Sequence, residues 1–164
     1  MNKEAYQDEI IILRVKDWQT ADKYAVCFSR EHGKISFIAY GARYGKSNGG
    51  RLIQPFAQLS ARLIGGRRFD TLQQCDLSIL PKTMDIMALA YGAVIAEAVE
   101  NLTEDYSPQE EIFILLQQAL VLLSSHNKRL VVVSSLCKLL SLCGFDPELE
   151  TCTKKKKKIE GDAY

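Results

Sequence analysis

Histidine is scarce, with two residues in 164, and there is a single tryptophan and only four prolines. The five cysteines, at 27, 75, 137, 143 and 152, are odd in number and contain no Cys-x-x-Cys pair. No disulfide framework or zinc knuckle is therefore spelled out. Cys27, Cys75, Cys137 and Cys143 sit in apolar or alternating segments, where a reduced thiol acts as a small hydrophobe. His32 falls in an expected turn and His126 at an expected helix boundary. Neither accompanies a Ser or Cys nucleophile motif, and two lone histidines make no metal site. The acidic pairs Glu97/Glu100 and Glu110/Glu111 read as helix faces and a first turn rather than as acid–base couples. Long apolar runs are missing too: the best candidates are broken by Glu97 and Lys138 before the roughly 18 residues a span requires. The start, Met1-Asn2-Lys3-Glu4, leads into no signal-like stretch, so a soluble cytoplasmic protein is expected. What remains is ordinary globular material. At 18.4 kDa, with 47% hydrophobic and 25% charged residues, the chain should bury a core as one domain or two small ones.

Charge is present but segregated. The formal net charge is +1, yet residues 1–70 carry 12 Lys/Arg against 7 Asp/Glu, residues 71–150 carry 4 against 11, and residues 151–164 carry 5 against 2. The balances are +5, −7 and +3. A basic module suited to a polyanion thus precedes an acidic module with another task.

The two modules also differ in period. Alternating or β-rich runs at about 9–16, 24–30, 35–40, 56–64 and 69–80 predict five strands, with turns at Glu31–Lys34 and Gly65–Arg68 and a loop over Gly41–Arg51. Five short strands in about 80 residues predict a small closed barrel, which leaves no exposed edge. Pro81 marks the change. Met84, Met87, Ala88, Tyr91, Ile95, Ala98, Val99 and Leu102 then recur at helical spacing. Ser107, Pro108 and Glu110 predict a capping box opening a second helix. A third helix from about Lys128 to Cys143, apolar nearly all round and stopped at Gly144 ahead of Pro147, is expected at the centre of a bundle. The fold class is α+β: a five-stranded OB-type barrel over residues 1–80, a helical domain over 81–150, and a basic tail over 151–164.

Gly45-Lys46-Ser47 invites a phosphate-loop reading, but three residues separate Gly41 from Gly45 where four are needed, and no helix follows. Nucleotide hydrolysis is therefore not expected. The same residues suit an electrostatic contact instead. Lys34, Arg43, Lys46 and Arg51, with Arg67 and Arg68 on a hairpin tip, are candidate phosphate contacts, and Phe37, Tyr40 and Tyr44 are candidate stacking rings. The competing reading is an ordinary solvated basic surface.

These segments also share a recognisable order. Ile12–Asp17, Ala21–Lys23, Ser29–Ser36, Ala39–Arg43 and Leu52–Phe56 resemble the amino-terminal barrel of the RecO family, with Gly41-Ala42-Arg43 followed by Gln54-Pro55-Phe56 as the more specific pair. Downstream, Leu139–Cys152 is similar to the family's helix ending in Gly-aromatic-x-Pro-x-Leu before a cysteine. The resemblance covers about residues 5–152. It implies an oligonucleotide-binding barrel followed by a helical domain, and a non-enzymatic mediator of recombinational DNA repair without cofactor. Such a protein binds single- and double-stranded DNA, anneals complementary strands, and works with RecR to load RecA onto DNA coated with single-strand DNA-binding protein. Lys34, Arg43, Lys46 and Arg51 match the family's basic loops; Arg67 and Arg68 rest on charge and turn position alone.

The resemblance further implies that the helical part receives the acidic tail of single-strand DNA-binding protein. Lys128 and Arg129 are the candidates for it by charge, against a plain helix-boundary role. One departure stands out. Many relatives continue with Cys-x-x-Cys-Gly, whereas Cys152 is followed by Thr153 and Lys154–Lys158, and a single thiolate cannot hold zinc. No zinc is expected, and the helical domain looks incomplete against the family pattern. The lysine run has three readings: a DNA-binding tail, a solvated end, or the scar of a slipped reading frame that makes Ile159–Tyr164 foreign. The alternative function, from another class, is an interaction scaffold whose barrel binds a protein.

Overall fold

A computed structural model describes residues 4–44, 49–79 and 84–145. Lys46, Pro81, Cys152 and the lysine run fall outside them. Five strands, β1 (Ala5–Trp18), β2 (Asp22–Ser29), β3 (Gly33–Ala39), β4 (Gln58–Ile64) and β5 (Asp70–Ile79), close into a barrel in the order β1-β2-β3-β5-β4. All neighbours are antiparallel except β3 and β5, which run parallel through Phe37–Asp70 and Ile38–Thr71. This is the arrangement expected of an OB-type barrel.

β1 is long because it serves two partners. Its first half pairs with β4, its second half with β2, and a register shift between Ile12 and Arg14 bends it from one to the other. Alternation then sorts side chains to two sides. Ile10, Ile12, Ala25, Cys27, Ile35, Phe37, Leu59 and Leu63 fill the barrel. Ile11, Leu13, Val26 and Phe28 point outward and would be an exposed apolar face, were they not covered by the helices.

Three helices follow: α1 (Ile86–Leu102), α2 (Glu110–Leu122) and α3 (Lys128–Leu142). Asp85 caps α1 by accepting from Ala88 N at 2.7 Å, and Asn127 caps α3 by accepting from Arg129 N at 3.2 Å and Leu130 N at 3.4 Å. Ala88, Ile95, Ala96 and Val99 of α1 join Ile112, Phe113 and Leu116 of α2, Val132 and Leu139 of α3, and the outward residues of β1 and β2 in one core. At the other end of α3, Gly144 takes φ 81°, and Phe145 N donates to Leu140 O at 2.8 Å, the closing bond of a Schellman-type end.

Two expectations fail for physical reasons. No capping box forms at Ser107: α2 starts at Glu110 with Gln109 before it and no side-chain cap. The segment ahead of it is held against the barrel instead, with Tyr106 N donating to Lys34 O at 3.0 Å and Asp105 bridged to Lys34. Nor is α3 the centre of a bundle among the described residues. Its Val131, Val132, Ser135 and Leu139 are buried, but Leu130 is 68% and Val133 59% exposed. Its sequence has too little polar character to show which side faces out.

Candidate nucleic-acid interface

The basic residues singled out from the sequence separate into tied and free groups. Lys34 is tied. Its Nζ donates to Glu100 O at 2.7 Å and Thr103 O at 2.6 Å and pairs with Asp105 Oδ1 at 3.2 Å. It neutralises the carbonyls at the end of α1, where a cation is favoured. This corrects the expectation that Lys34 meets phosphate. Phe37 is corrected as well: it is fully buried in the barrel, so no ring face is available to a base.

Arg43 lies on a 3-10 turn (Ala42–Tyr44) between β3 and β4 and packs on the β1–β2 loop. Its backbone N donates to Ala21 O at 3.0 Å, its Nη1 to Thr20 O at 3.3 Å, and its Nη2 pairs with Asp17 at 3.4 Å. Tyr40 and Tyr44 flank it, 57% and 62% exposed. Asp22 Oδ1 accepts from Gly41 N at 2.9 Å, and Gly41 has φ 68°, a backbone conformation glycine adopts at little cost. Arg51 is exposed on a short 3-10 turn (Gly50–Leu52). That turn is seated on the barrel end by Cys75 Sγ, which contacts Gly49 O at 3.5 Å. Burial, aided by the nearby Asp76 charge, pushes the Cys75 thiol up to about 11, so it stays a thiol.

Arg67 and Arg68 are exposed on the β4–β5 hairpin. The hairpin is held from beneath by Asp70, which is buried and accepts from Gly66 N at 2.9 Å, from the Tyr6 hydroxyl, and from Tyr106 Oη at 3.5 Å. Burial and this carboxylate together raise the Tyr6 phenol far above its usual range, so Tyr6 is a fixed donor. A second buried carboxylate, Asp8, accepts from the Ser29 hydroxyl, Glu31 N at 3.2 Å and His32 Nδ1 at 2.8 Å, which fixes the β2–β3 turn.

Sequence reasoning missed three rings. Trp18 at the end of β1, Tyr24 in β2 and Phe69 at the end of the hairpin meet with centroids 5.8, 5.9 and 5.2 Å apart, and Arg68 Cζ lies 5.1 Å from the Phe69 centroid. The available signals were the lone tryptophan at a strand end and an aromatic directly after Arg67-Arg68. The β1–β2 loop, the β4–β5 hairpin and the faces of β2 and β3 are the parts of this fold that hold oligonucleotides elsewhere. Arg67, Arg68 and the three rings belong to those parts, while Tyr40, Arg43 and Tyr44 come from the β3–β4 connection, which Arg43 ties to the β1–β2 loop.

The helical module attaches to the same outer face. Arg14 makes a forked pair with Glu100, with Nε donating to Oε2 at 2.9 Å and Nη2 to Oε1. The guanidinium holds the Glu100 carboxyl below its usual range, and hydrogen bonding to Glu100 raises that of Arg14. Arg30 Cζ sits 4.8 Å from the Phe113 centroid, and Gln117 Nε2 donates to Gln58 Oε1 at 3.1 Å. Lys128 Nζ pairs with Asp85 Oδ2 at 3.1 Å, while the exposed Arg129 side chain has no partner among the described residues. No group of three His, Cys, Asp or Glu among the described residues could hold a metal, and no described helix is long and apolar enough to cross a membrane.

Family models for the recombination protein O N terminus and C terminus match residues 1–79 and 84–164 respectively. The chain belongs to the RecO family. It is 31% identical over 161 residues to the DNA repair protein RecO of Pelotomaculum thermopropionicum, covering 97% of this chain and 63% of that protein. The RecO of Symbiobacterium thermophilum is 32% identical over 151 residues, covering 90% and 60%. That of Bacillus pumilus is 31% identical over 149 residues, covering 89% and 58%. The chain therefore spans about three fifths of the length of the RecO proteins it matches. The two family models leave residues 80–83 between them, after β5 and before α1.

Proposed function

We propose that this chain is a DNA-binding mediator of recombinational repair that performs no bond chemistry of its own. In this role it binds and anneals single strands and, in the cytoplasm, acts with RecR to help load RecA onto DNA coated with single-strand DNA-binding protein. The observation that carries the reading is the gathering of the exposed Arg67 and Arg68 with the half-buried rings of Trp18, Tyr24 and Phe69 on the ligand-binding parts of an OB-type barrel. Arg43, Lys46 and Arg51, from the sequence between β3 and β4, extend the basic set. Arginine forks pair well with phosphate oxygens, and rings accept bases of any sequence, which is what annealing without sequence choice requires.

For the acidic tail of single-strand DNA-binding protein, Arg129 is the candidate at the start of α3, its side chain having no partner among the described residues. Lys128, already paired with Asp85, would have to exchange partners. A tail peptide that binds a Lys128→Glu, Arg129→Glu double variant as well as it binds the parent removes this assignment. For the main reading, a labelled oligonucleotide titrated at several salt concentrations should show affinity falling steeply with salt, and complementary strands should anneal faster with protein present. Absence of binding at low salt overturns it.

One observation favours the scaffold alternative. An apolar groove of about 350 Å³ runs between the barrel and the helices, lined by Leu52, Phe56, Leu77, Ile79, Leu89 and Leu120. A protein partner that binds the chain with no loss at high salt, in the absence of any DNA affinity, would favour it.

A further inference from the structure

Trp18, Tyr24 and Phe69 come from three separate segments, yet they form one patch. They belong to no common stretch of strand, so local alternation alone does not bring them together. Trp18 and Tyr24 share the outer face of the barrel with Lys16, which pairs with Tyr24 in register. Val26 and Phe28 continue the Tyr24 row, and both are buried under the helices. Tyr24 thus stands at the margin of the helical cover, and the ring patch is the part of this face the helices leave open. Each of the three rings is half-buried rather than buried. Their planes meet at 36°, 70° and 75°, so no ring is stacked parallel on another, and each stays partly exposed.

The patch is edged by cations. Lys16 is exposed on one side, and Arg67 and Arg68 stand on the hairpin that carries Phe69, with the Arg68 guanidinium over the Phe69 ring. A ring surface of this size, bordered by groups that neutralise phosphate, is matched by a strand whose bases are unpaired. Duplex bases are stacked inside the helix and present only edges, so a duplex could use the cations but not the rings.

We propose that Trp18, Tyr24 and Phe69 form a stacking platform for unpaired bases, with Arg67 and Arg68 holding the adjoining phosphates, so that preference for single strands is set at this patch. The assignment rests on the reading of the barrel as a DNA-binding module. It replaces the fully buried Phe37 with rings that are partly exposed. It also gives Arg68 a role on both sides of the contact: it lies over the ring in the free protein and is within reach of a phosphate once a base takes its place.

Trp18 is the only tryptophan in the chain, so its emission reports on this patch alone. The 164-residue protein is titrated with a labelled thymidine oligomer, with an abasic oligomer of equal length that keeps the phosphates, and with a duplex. Anisotropy and Trp18 emission are read together. The thymidine strand is expected to bind about 5- to 150-fold more tightly than the abasic strand and to quench Trp18, while the abasic strand and the duplex leave emission unchanged. Phe69→Leu keeps the reporter and much of the apolar bulk. It should bring the thymidine affinity severalfold toward the abasic value, leave abasic binding within twofold, and retain a cooperative melt. Salt-dependent binding that is equal for thymidine and abasic strands, with Trp18 unquenched, overturns the platform and leaves the DNA reading standing. Failure of every strand to bind at low salt overturns both.

Discussion

Lys34, a residue of the barrel, donates its amine to the carbonyls of Glu100 and Thr103 at 2.7 and 2.6 Å and so closes the last turn of α1. A helix end leaves carbonyls without partners, and a cation there meets both the hydrogen bonds and the dipole. This lysine holds the two modules together.

Replacing it separates structure from binding. Lys34→Met should lower unfolding free energy by about 1.5–3 kcal/mol, the range for hydrogen bonds involving a charged group. Oligonucleotide affinity, measured well below the melting temperature, should change less than twofold. Urea denaturation followed by anisotropy titration checks both.

Arg67 and Arg68 should behave in the opposite way. An Arg67→Ala, Arg68→Ala double variant should melt within about 0.5 kcal/mol of the parent, as surface changes do. Its dependence of log affinity on log salt should flatten by about 0.7 per lost phosphate contact on a single strand. A slope identical to the parent's would remove these residues from the interface.

Acid should weaken the joint between the modules. The Glu100 carboxyl is held below its unfolded value by Arg14. Its contribution is therefore full above the unfolded carboxylate range, about pH 4.3, and is lost as pH falls through the lower folded value. With both side chains partly exposed, at 37% and 23%, about 1 kcal/mol is the reasonable size. Glu100→Gln should melt lower than the parent at pH 7, and the difference should shrink as pH drops below about 4.

Two glycines should respond differently to a methyl group. Gly144 has φ 81° with nothing within 4 Å of an added Cβ among the described residues, so Gly144→Ala pays backbone strain, about 1 kcal/mol. Gly33 has φ 72°, and its Cβ would run into the Ser107 carbonyl. Gly33→Ala should cost about 3 kcal/mol, because the segment before α2 must move as well. Denaturant midpoints of the two variants give the comparison.

How far the sequence carried is clear from particular residues. Alternation located all five strands within a few residues, because inward Ile10, Ile12, Phe37 and Leu63 and their neighbours obey a period of two. The helical period of α1 and the stop at Gly144 were legible for equally local reasons. Phe37 was misjudged because alternation shows that two faces exist and not which one lies inside. Lys34 was misjudged because its partners, Glu100 and Thr103, are more than sixty residues away. Trp18, Tyr24 and Phe69 escaped notice for the same reason, since only closure of the barrel brings the β1–β2 loop to the β4–β5 hairpin. Ser107 carried a sound capping signal that tertiary contact with Gly33 and Lys34 overrode.

The core that runs from Ile11 and Phe28 through Ile95 to Leu116 and Leu139 belongs to neither module alone. Rotation of the barrel against the helices would open that core and expose its apolar residues to water. A strand lying on the rings and a protein seated on α3 would then be kept at one spacing and one angle, and the molecule would serve them as a jig.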